Sequence, residues 1–348
     1  MKAQRVRSCA VRVFETPLKR PFITSLGRKT SSINVGVTLR LAGGAEGYGE
    51  ASSSFAQAHL RAPRLAARLE ALGRWAKGRD ADAHRPLVAE AWKRCARAGP
   101  AAAAFECALL EAVAASRGLS LTEWFGGKLS RMETDITLSA WDDPAETERA
   151  AREAAAEGFR IFKIKVGGDL RVSLARVRAA RRARPQAPLI LDGNQGMTSA
   201  GALKLVEACL KEGADVRLLE QPLPKAAIGE MPALSRRCPV PIALDESCQT
   251  PQDAVRIVDA RAAQAINIKI AKSGLLGSLE IAAVARAAGL KLMIGCMTET
   301  GAGLSASVHF ALGTGFFDFV DLDGDHLLAG PQERRGWKRR GPLVSLAP

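Results

Sequence analysis

The sequence predicts an α/β protein in which a (β/α)8-type barrel follows an α+β capping domain. From about residue 133 onward, short apolar segments alternate with amphipathic ones, which is typical of parallel strands joined by helices. Lys165, Asp192, Glu220, Asp245 and Lys269 each close such an apolar segment, with gaps of 27, 28, 25 and 24 residues. In barrels, polar residues at the carboxyl ends of strands form the active site. The repeated spacing therefore predicts one site built from five strands.

The capping domain is expected to span residues 1–128. Segments 11–14 and 33–39 alternate apolar and polar residues as strands do, and the glycine-rich segment 43–47 supplies a hairpin turn. No Gly-Lys-Ser/Thr follows these glycines, so they do not form a phosphate loop. Residues 56–125 are rich in alanine and leucine at helical spacing.

The barrel is expected to span residues 129–325, and the tail 326–348 is expected to return to the capping domain. Strands are predicted at 135–140, 162–166, 188–192, 217–221, 241–245, 265–270, 291–295 and 318–323, with helices at 144–157, 170–183, 199–212, 251–260 and 277–288. An open doubly wound sheet is the alternative. That fold gathers its ligands at one switch point, and no Gly-x-Gly-x-x-Gly follows a strand here.

Composition limits the class of protein. The 348 residues are 47% hydrophobic and 25% charged, and no segment resembles a signal peptide or a membrane span. The seven scattered cysteines indicate reduced thiols, and hence a cytoplasmic protein. The net charge of +14 raises the alternative of a nucleic-acid partner, but aromatic residues make up only 5%. We expect a small-molecule substrate, no nucleic-acid or membrane partner, and leave a homo-oligomer open.

Three acids fall on consecutive predicted strands. Asp192, Glu220 and Asp245 offer hard oxygen donors, which suit Mg²⁺. No histidine or cysteine accompanies them, which disfavours zinc. The alternative is that each acid caps the following helix or pairs with an arginine, but three acids in the same register favour a metal site.

Lysines lie on the strands before and after the three acids. Lys163 and Lys165 point to the same side of their strand because they are two residues apart. Lys165 and Lys269 are expected to face each other across the barrel mouth, with lowered pKa values that suit a base. This arrangement suits removal of a proton from a carbon next to a carboxylate, with its return from the opposite face. Lys163 is expected to help hold the substrate carboxylate.

The last predicted strand carries two further acids. Asp321 and Asp323 are two residues apart, so both are expected to face the pocket. They would form a seat for a substrate ammonium group. The alternative is that they are loop or capping acids.

The combined motifs resemble those of the enolase superfamily, in its muconate-lactonising subgroup. The motifs are Gly-Tyr-Gly-Glu-Ala at 47–51, Lys-Ile-Lys at 163–165, Asp-Gly-Asn-Gln-Gly at 192–196, Glu-Gln-Pro at 220–222, Asp-Glu-Ser at 245–247, Asn-Ile-Lys at 267–269 and Gly-Cys-Met at 295–297. The resemblance covers nearly the whole chain and implies the modified (β/α)7β form of the barrel.

Within that subgroup, an Asp-x-Asp motif on the last strand distinguishes dipeptide epimerases. The resemblance therefore implies a Mg²⁺-dependent dipeptide epimerase acting through an enediolate, with L-Ala-D/L-Glu as the commonest substrate assignment. The residues that it assigns are Asp192, Glu220 and Asp245 to Mg²⁺; Lys165 and Lys269 to proton transfer; and Thr137, Lys163, Cys296, Met297, Thr298, Asp321 and Asp323 to the substrate.

The resemblance also implies that a flap of the capping domain selects the second side chain of the substrate. The segment between Pro17 and Thr30 is expected to be irregular and mobile, and Arg28 or Lys29 could pair with a glutamate side chain. Two alternatives stay open within the superfamily: a cycloisomerase of the muconate-lactonising type, and an o-succinylbenzoate synthase or N-acylamino acid racemase. A polyanion-binding module on a decayed barrel is the alternative that is not an enzyme.

Overall fold

The structure is a computed structural model that describes residues 4–52, 59–96 and 98–347. Its N-terminal part is a three-stranded antiparallel sheet in the order β1-β2-β3, covered by helices. The strands are β1 (Val6–Thr24), β2 (Gly27–Leu41) and β3 (Glu46–Ser52), and the helices are α1 (Ala62–Ala76), α2 (His84–Arg94), α3 (Gly99–Ser116) and α4 (Leu121–Trp124).

Helix α3 packs directly on strand β3, and glycines make this possible. A Cβ atom at Gly47 would lie 2.0 Å from the carbonyl oxygen of Ala108, and one at Gly49 would lie 1.9 Å from that of Ala104. The glycines let the two backbones approach closely. Helix α3 is also the one described helix long and apolar enough to cross a membrane, but 78% of it is buried within the protein.

Eight parallel strands form the second part of the molecule, with neighbouring strands paired from β5 to β12 in chain order. The strands are β5 (Ile136–Leu138), β6 (Phe162–Lys165), β7 (Leu189–Asp192), β8 (Val216–Glu220), β9 (Ile242–Leu244), β10 (Ala265–Ile268), β11 (Lys291–Gly295) and β12 (Phe319–Asp321). The helices are α5 (Pro144–Ala156), α6 (Leu170–Ala183), α7 (Ser199–Lys211), α8 (Met231–Arg237), α9 (Pro251–Ala260), α10 (Ile270–Ala287), α11 (Gly301–Thr314) and α12 (Gly324–Leu327).

Hydrogen bonds across a seam between the first and last strands close the sheet into a barrel. The backbone N–H of Asp135 donates to the carbonyl of Val320 at 2.9 Å, and that of Thr137 donates to the Asp323 carboxylate at 2.6 Å. Seven strands are followed by a covering helix, and β12 is followed only by the single turn of α12. The predicted barrel of (β/α)7β form with an α+β cap is thus confirmed.

Besides the single turn of α12, which was not predicted, three barrel helices differ from the prediction. Helix α8 was not predicted because it is short, with proline in its first turn. Helix α11 was missed because it is apolar on nearly all sides and rich in glycine and serine, which removes the amphipathic signal. Helix α10 begins directly after Lys269 rather than at 277, and it is kinked at Gly274, where φ is 66°.

The flap is regular, contrary to the prediction of an irregular segment. Strands β1 and β2 continue to the tip, where Thr24 pairs with Gly27, and the only departure is a shift of register between Pro17 and Phe22. The two prolines in this stretch are accommodated because β1 is an edge strand, where proline is tolerated.

The tail contacts both parts of the molecule. Residues near its start meet the cap, since the Ala329 N–H donates to the carbonyl of Pro17 at 2.8 Å. Strands β13 (Trp337–Arg340) and β14 (Leu343–Leu346) then form an antiparallel sheet with β4 (Arg131–Glu133). The division of the chain at residue 128 stays a prediction.

Candidate active site at the barrel mouth

The polar residues predicted at the strand ends meet at one level of the barrel. In the parallel ladder Lys165 pairs with Asp192, and Asp192 pairs with Glu220. Asp245 and Lys269 directly follow β9 and β10, and all five side chains are buried. Since β6 and β10 are four positions apart among eight strands, Lys165 and Lys269 lie on opposite sides of the mouth. The three acidic strands lie between them.

Asp192 and Glu220 are ion-paired with the lysines of β6. The Nζ atom of Lys165 lies 2.6 Å from Asp192 Oδ2, and the Nζ atom of Lys163 lies 3.1 Å from the same oxygen and 2.8 Å from Glu220 Oε2. The Nδ2 group of Asn267 donates to Glu220 Oε1 at 2.7 Å. These contacts hold both carboxylates towards the barrel axis.

Asp245 is held by two lysines, one of which the sequence analysis did not single out. The Nζ atom of Lys269 lies 2.8 Å from Asp245 Oδ2. Lys272, one turn into α10, donates to Asp245 Oδ1 at 2.7 Å and to the Asp245 carbonyl at 2.6 Å. Because α10 starts directly after Lys269, the spacing of three residues brings Lys272 back to the same acid.

The close charges shift the pKa values of these groups in opposite directions. Burial alone would raise the pKa of Asp192, but the ammonium groups of Lys165 and Lys163 outweigh it and lower the pKa to about 2. Burial and the neighbouring Asp192 charge raise the pKa of Glu220 to about 7. Burial would lower the pKa of Lys269, but the carboxylates led by Asp245 raise it above its ordinary value. The lowered pKa expected for Lys269 from the sequence is therefore not found in this arrangement.

The oxygens at this level fit a divalent cation. Glu220 Oε2 is buried within ion-pair distance of Lys163, yet no donor among the described residues is aligned for a hydrogen bond to it. Asn194 Oδ1 is likewise buried without a donor in the described part of the chain. Three carboxylates on adjacent strands with spare oxygen lone pairs are a donor set that Mg²⁺ prefers.

The second pair of predicted acids lies at the barrel seam. Asp321 Oδ2 accepts a hydrogen bond from Lys163 at 2.6 Å, and its Oδ1 lies 3.5 Å from the hydroxyl of Thr137. Asp323 Oδ2 accepts the bond from the Thr137 backbone described above. Burial and the Asp321 charge raise the pKa of Asp323 to about 6. All four of these side chains line the same cavity as Lys165 and Lys269.

The loop after β11 forms another wall of this cavity through Cys296, Met297 and Thr298. A Cβ at Gly295 would lie 2.8 Å from Cε of Lys269, so glycine here leaves room for the lysine. The Thr298 carbonyl accepts hydrogen bonds from Ser32 at 2.8 Å and from Asn34 at 3.0 Å. The capping domain thus holds the loop in place.

The flap covers the cavity. The Ser25 hydroxyl donates to the Asn194 carbonyl at 2.6 Å, which docks the tip on the loop after β7. Phe22 places its ring centroid 5.6 Å from Lys165 Nζ. Lys29 lines the cavity and hydrogen-bonds Thr298, whereas Arg28 is exposed. Of the two flap cations considered from the sequence, Lys29 is the one at the site.

Asp135 is a further buried acid that the sequence analysis did not single out. One of its carboxylate oxygens lies within 4.8 Å of one oxygen from each of Asp321 and Asp323. It directly precedes β5 and lies two residues before Thr137 in the strand predicted at 135–140, so the alternation of side chains could have placed it on the inner face.

Comparison with known proteins gives the family. Residues 8–126 match the model described as the N-terminal domain of mandelate racemase / muconate lactonizing enzyme, and residues 146–339 match the one described as enolase C-terminal domain-like. An aromatic dipeptide epimerase of Herpetosiphon aurantiacus is 34% identical, over 98% of this chain and 96% of its own. An L-Ala-D/L-Glu epimerase of Thermotoga maritima is 36% identical, over 91% of each chain.

A solved structure agrees with these matches. The dipeptide epimerase of Enterococcus faecalis, complexed with Mg and the dipeptide L-Leu-L-Tyr, superimposes with a TM-score of 0.93 at 29% identity. The match covers 99% of this chain and 97% of the other. Taken with the barrel, its cap and the acids and lysines at the mouth, the matches to both domains show that this chain belongs to the enolase superfamily, on its mandelate racemase / muconate lactonizing side.

Proposed function

We propose that this protein is a Mg²⁺-dependent dipeptide epimerase that inverts the α-carbon of the C-terminal residue of its substrate. One observation carries the proposal: Lys165 and Lys269 lie four strands apart, on opposite sides of a barrel mouth whose intervening strands bear three acids. A planar intermediate held between two such amines can lose a proton to one and gain a proton from the other on the opposite face. The product is the inverted stereoisomer.

Asp192, Glu220 and Asp245 would hold the Mg²⁺ ion. When bound, the ion supplies positive charge beside the substrate carboxylate and so favours the negative charge that develops there as the α-proton leaves. Lys163 lies beneath these acids with its Nζ 2.8 Å from Glu220 and 2.6 Å from Asp321. It would contribute a fixed positive charge under the substrate carboxylate.

Asp321 and Asp323 would bind the substrate ammonium group, with Thr137 holding both acids. This seat favours a dipeptide over a substrate of a cycloisomerase or an o-succinylbenzoate synthase, which has no ammonium group to bind. The relatives reported above are dipeptide epimerases, which supports the same choice. Cys296, Met297 and Thr298 would line the pocket beside the peptide.

Lys29 favours an acidic C-terminal residue such as glutamate. It lies on the flap and lines the same cavity as Lys165, and the Phe22 ring is near both lysines: the centroid is 5.9 Å from Lys29 Nζ and 5.6 Å from Lys165 Nζ. A side chain extending from the α-carbon towards the flap would therefore meet an ammonium group. L-Ala-D/L-Glu and related dipeptides fit this arrangement.

We also propose that the protein acts in the cytoplasm. All seven cysteines are free in the structure, four of them buried, which fits a reducing compartment. Its partner would be a small dipeptide, and no nucleic acid or membrane is needed for the proposed reaction.

Incubation of a dipeptide library with the enzyme and Mg²⁺ in D₂O tests the proposal. We expect deuterium at the α-carbon of the C-terminal residue together with formation of the epimer, most rapidly for dipeptides ending in glutamate. If no library member gains deuterium at that carbon, the proposed function is wrong.

A further inference from the structure

Asp135 has no role in the function proposed above, and its surroundings are unusual for a carboxylate. Its side chain is fully buried, and no donor in the described part of the chain bonds to either of its oxygens. Buried polar groups in proteins are nearly always hydrogen-bonded, and a buried charge is nearly always paired. Asp135 therefore cannot be treated as an ordinary structural anion.

The neighbours of Asp135 are themselves acids. One carboxylate oxygen from each of Asp135, Asp321 and Asp323 lies within 4.8 Å of the other two, and the Asp321 carboxylate is within reach of a side-chain hydrogen bond. Two ionised carboxylates repel each other, but an acid and a carboxylate attract through one shared proton. The short separation of Asp135 and Asp321 fits an acid and a carboxylate that share one proton.

A small apolar cluster lies among the barrel strands. Ile190, Leu218 and Met293 belong to it, and Ile161 and Phe319 pack against it. Asp135 is not among the residues that line the substrate cavity, whereas Asp321, Asp323 and Thr137 are. It thus lies next to Asp321 and Asp323 but outside the lining of the space where the substrate would lie.

Lys163 cannot neutralise Asp135 in addition to the three acids that it already contacts. It is the nearest lysine to this group of acids, and its Nζ already contacts Asp192, Glu220 and Asp321 within 3.1 Å. With Asp135 neutral, the two charges of Asp321 and Asp323 are matched by Lys163 and one substrate ammonium group. With Asp135 ionised, one buried negative charge would be left over.

We propose that Asp135 is held as a neutral carboxylic acid that donates a hydrogen bond to Asp321, and that it thereby positions Asp321 for the substrate ammonium group. The proposal rests on the proposed function for the identity of the ammonium ligand, but not for the protonation of Asp135. Burial raises the pKa of Asp135 well above its ordinary value, and the charges of Asp321 and Asp323 raise it further, while Lys163 opposes them. Asp135 is a positioning residue, since it acts through Asp321.

Two substitutions separate this role from that of a third ammonium ligand. Asp135→Asn is neutral, has nearly the same shape, and can donate an N–H to Asp321. Asp135→Leu has a similar size and cannot donate. We expect Asp135→Asn to keep KM for L-Ala-L-Glu within about threefold of the parent, and Asp135→Leu to raise KM about tenfold or more with a smaller change in kcat.

Infrared spectroscopy tests the protonation directly and needs no substrate. The difference spectrum between the parent and Asp135→Asn, both loaded with Mg²⁺ at neutral pH, should show the C=O stretch of a protonated carboxyl group that shifts in D₂O. This measurement stands even if Asp135→Leu does not fold.

Three results would overturn the proposal. An Asp135→Asn variant whose KM rises as much as that of Asp321→Asn would show that Asp135 acts as an anion. A lower number of Mg²⁺ ions bound per chain in Asp135→Asn would show that it is a metal ligand. Absence of the protonated C=O band would show that the acid is ionised. If the band is present but no dipeptide is epimerised, the proposed function fails while the protonation of Asp135 stands.

Discussion

Two groups of three acids lie side by side in the barrel, and they are neutralised differently. Asp192, Glu220 and Asp245 contact four lysine side chains within 3.1 Å. Asp135, Asp321 and Asp323 share a single lysine, Lys163, through Asp321. The pKa values follow the difference: the Lys165 and Lys163 charges overcome burial and lower that of Asp192 to about 2, whereas burial and the Asp321 charge raise that of Asp323 to about 6.

This difference in neutralisation fits two proposed cation sites, one for a divalent metal ion and one for an ammonium group. The first group has enough negative charge to hold a divalent ion once its lysines are displaced, and it lies between the two proposed bases. The second group lacks one positive charge, which one ammonium group would supply. Damage to the first group should therefore affect every substrate, and damage to the second only substrates with a free amino group.

The largest effect is expected from Glu220→Gln. Loss of one of three carboxylates should weaken Mg²⁺ binding and lower kcat/KM for all dipeptides by at least about a thousandfold, because the ion contributes several kcal/mol to the transition state. Titration calorimetry and polarimetry measure the two effects. Glu207→Gln on the exposed face of α7 is the control and should change neither. Undiminished Mg²⁺ affinity in Glu220→Gln would contradict the assignment of the first group.

Each proposed base should be needed for epimerisation, but either base alone should still exchange the α-proton of one stereoisomer with solvent. Lys269→Ala and Lys165→Ala should each lower epimerisation about 10²- to 10⁴-fold, because one face of the α-carbon loses its acid/base. The remaining lysine can still exchange the α-proton of one stereoisomer with D₂O, and the two variants should exchange opposite stereoisomers. Proton NMR measures this exchange. The exposed Lys204→Ala is the control, and epimerisation at the parent rate in either base variant would refute the two-base assignment.

Asp321→Asn should discriminate between substrates. Removing one partner of a buried charge pair costs about 2–5 kcal/mol, or roughly 30- to 5,000-fold in kcat/KM for a free dipeptide. For an N-acetylated dipeptide, which has no ammonium group, the change from parent to variant should be much smaller. Steady-state kinetics on the two substrates gives the ratio. Since Asp321 also contacts Lys163, Mg²⁺ affinity is measured in the same variant as a control. An equal loss of kcat/KM for the free and the N-acetylated dipeptide would contradict the proposal that Asp321 and Asp323 bind the ammonium group.

The smallest effect is expected at the flap. Lys29→Met should lower the preference for L-Ala-L-Glu over L-Ala-L-Leu about fivefold, whereas Arg28→Met, whose side chain is exposed on the same strand, should leave it unchanged. Burial lowers the pKa of Lys29 to about 8. Lys29 is cationic below that pH, so the parent's preference for glutamate should fall as pH rises through about 8. A preference for glutamate that Lys29→Met leaves intact at pH 7 would exclude Lys29 as the cause.

The barrel and its five charged strand ends could be predicted because both depend on short-range patterns. A strand of four or five residues that ends in a charge needs no knowledge of its neighbours, and Lys165, Asp192 and Glu220 are in register as their spacing indicates. The Asp-x-Asp pair was predictable for the same reason, since two residues of separation keep both acids on one side.

The supporting residues could not be predicted in the same way because their partners are distant in sequence. Lys272 depends on where α10 starts, and the alternation of strands and helices does not fix that residue. Glu50, on β3, accepts hydrogen bonds from Asn34 at 2.7 Å and from the backbone of Thr300 at 2.9 Å, 250 residues away. The contact between Glu50 and Thr300 depends on how the capping domain packs against the barrel. The side of the flap that faces the site depended on the register between β1 and β2.

The hydrogen bond from the Thr137 backbone to Asp323 has a consequence for how the family can diversify. At this seam a carboxylate takes the place of a carbonyl from the neighbouring strand, so one side chain completes the barrel wall and, in the proposed function, would also bind the substrate ammonium group. A descendant that lost this acid to accept a different class of compound would also leave a buried amide without an acceptor. New specificity at this position would therefore require a compensating backbone or side-chain acceptor, which makes the flap the easier place for evolution to alter the choice of substrate.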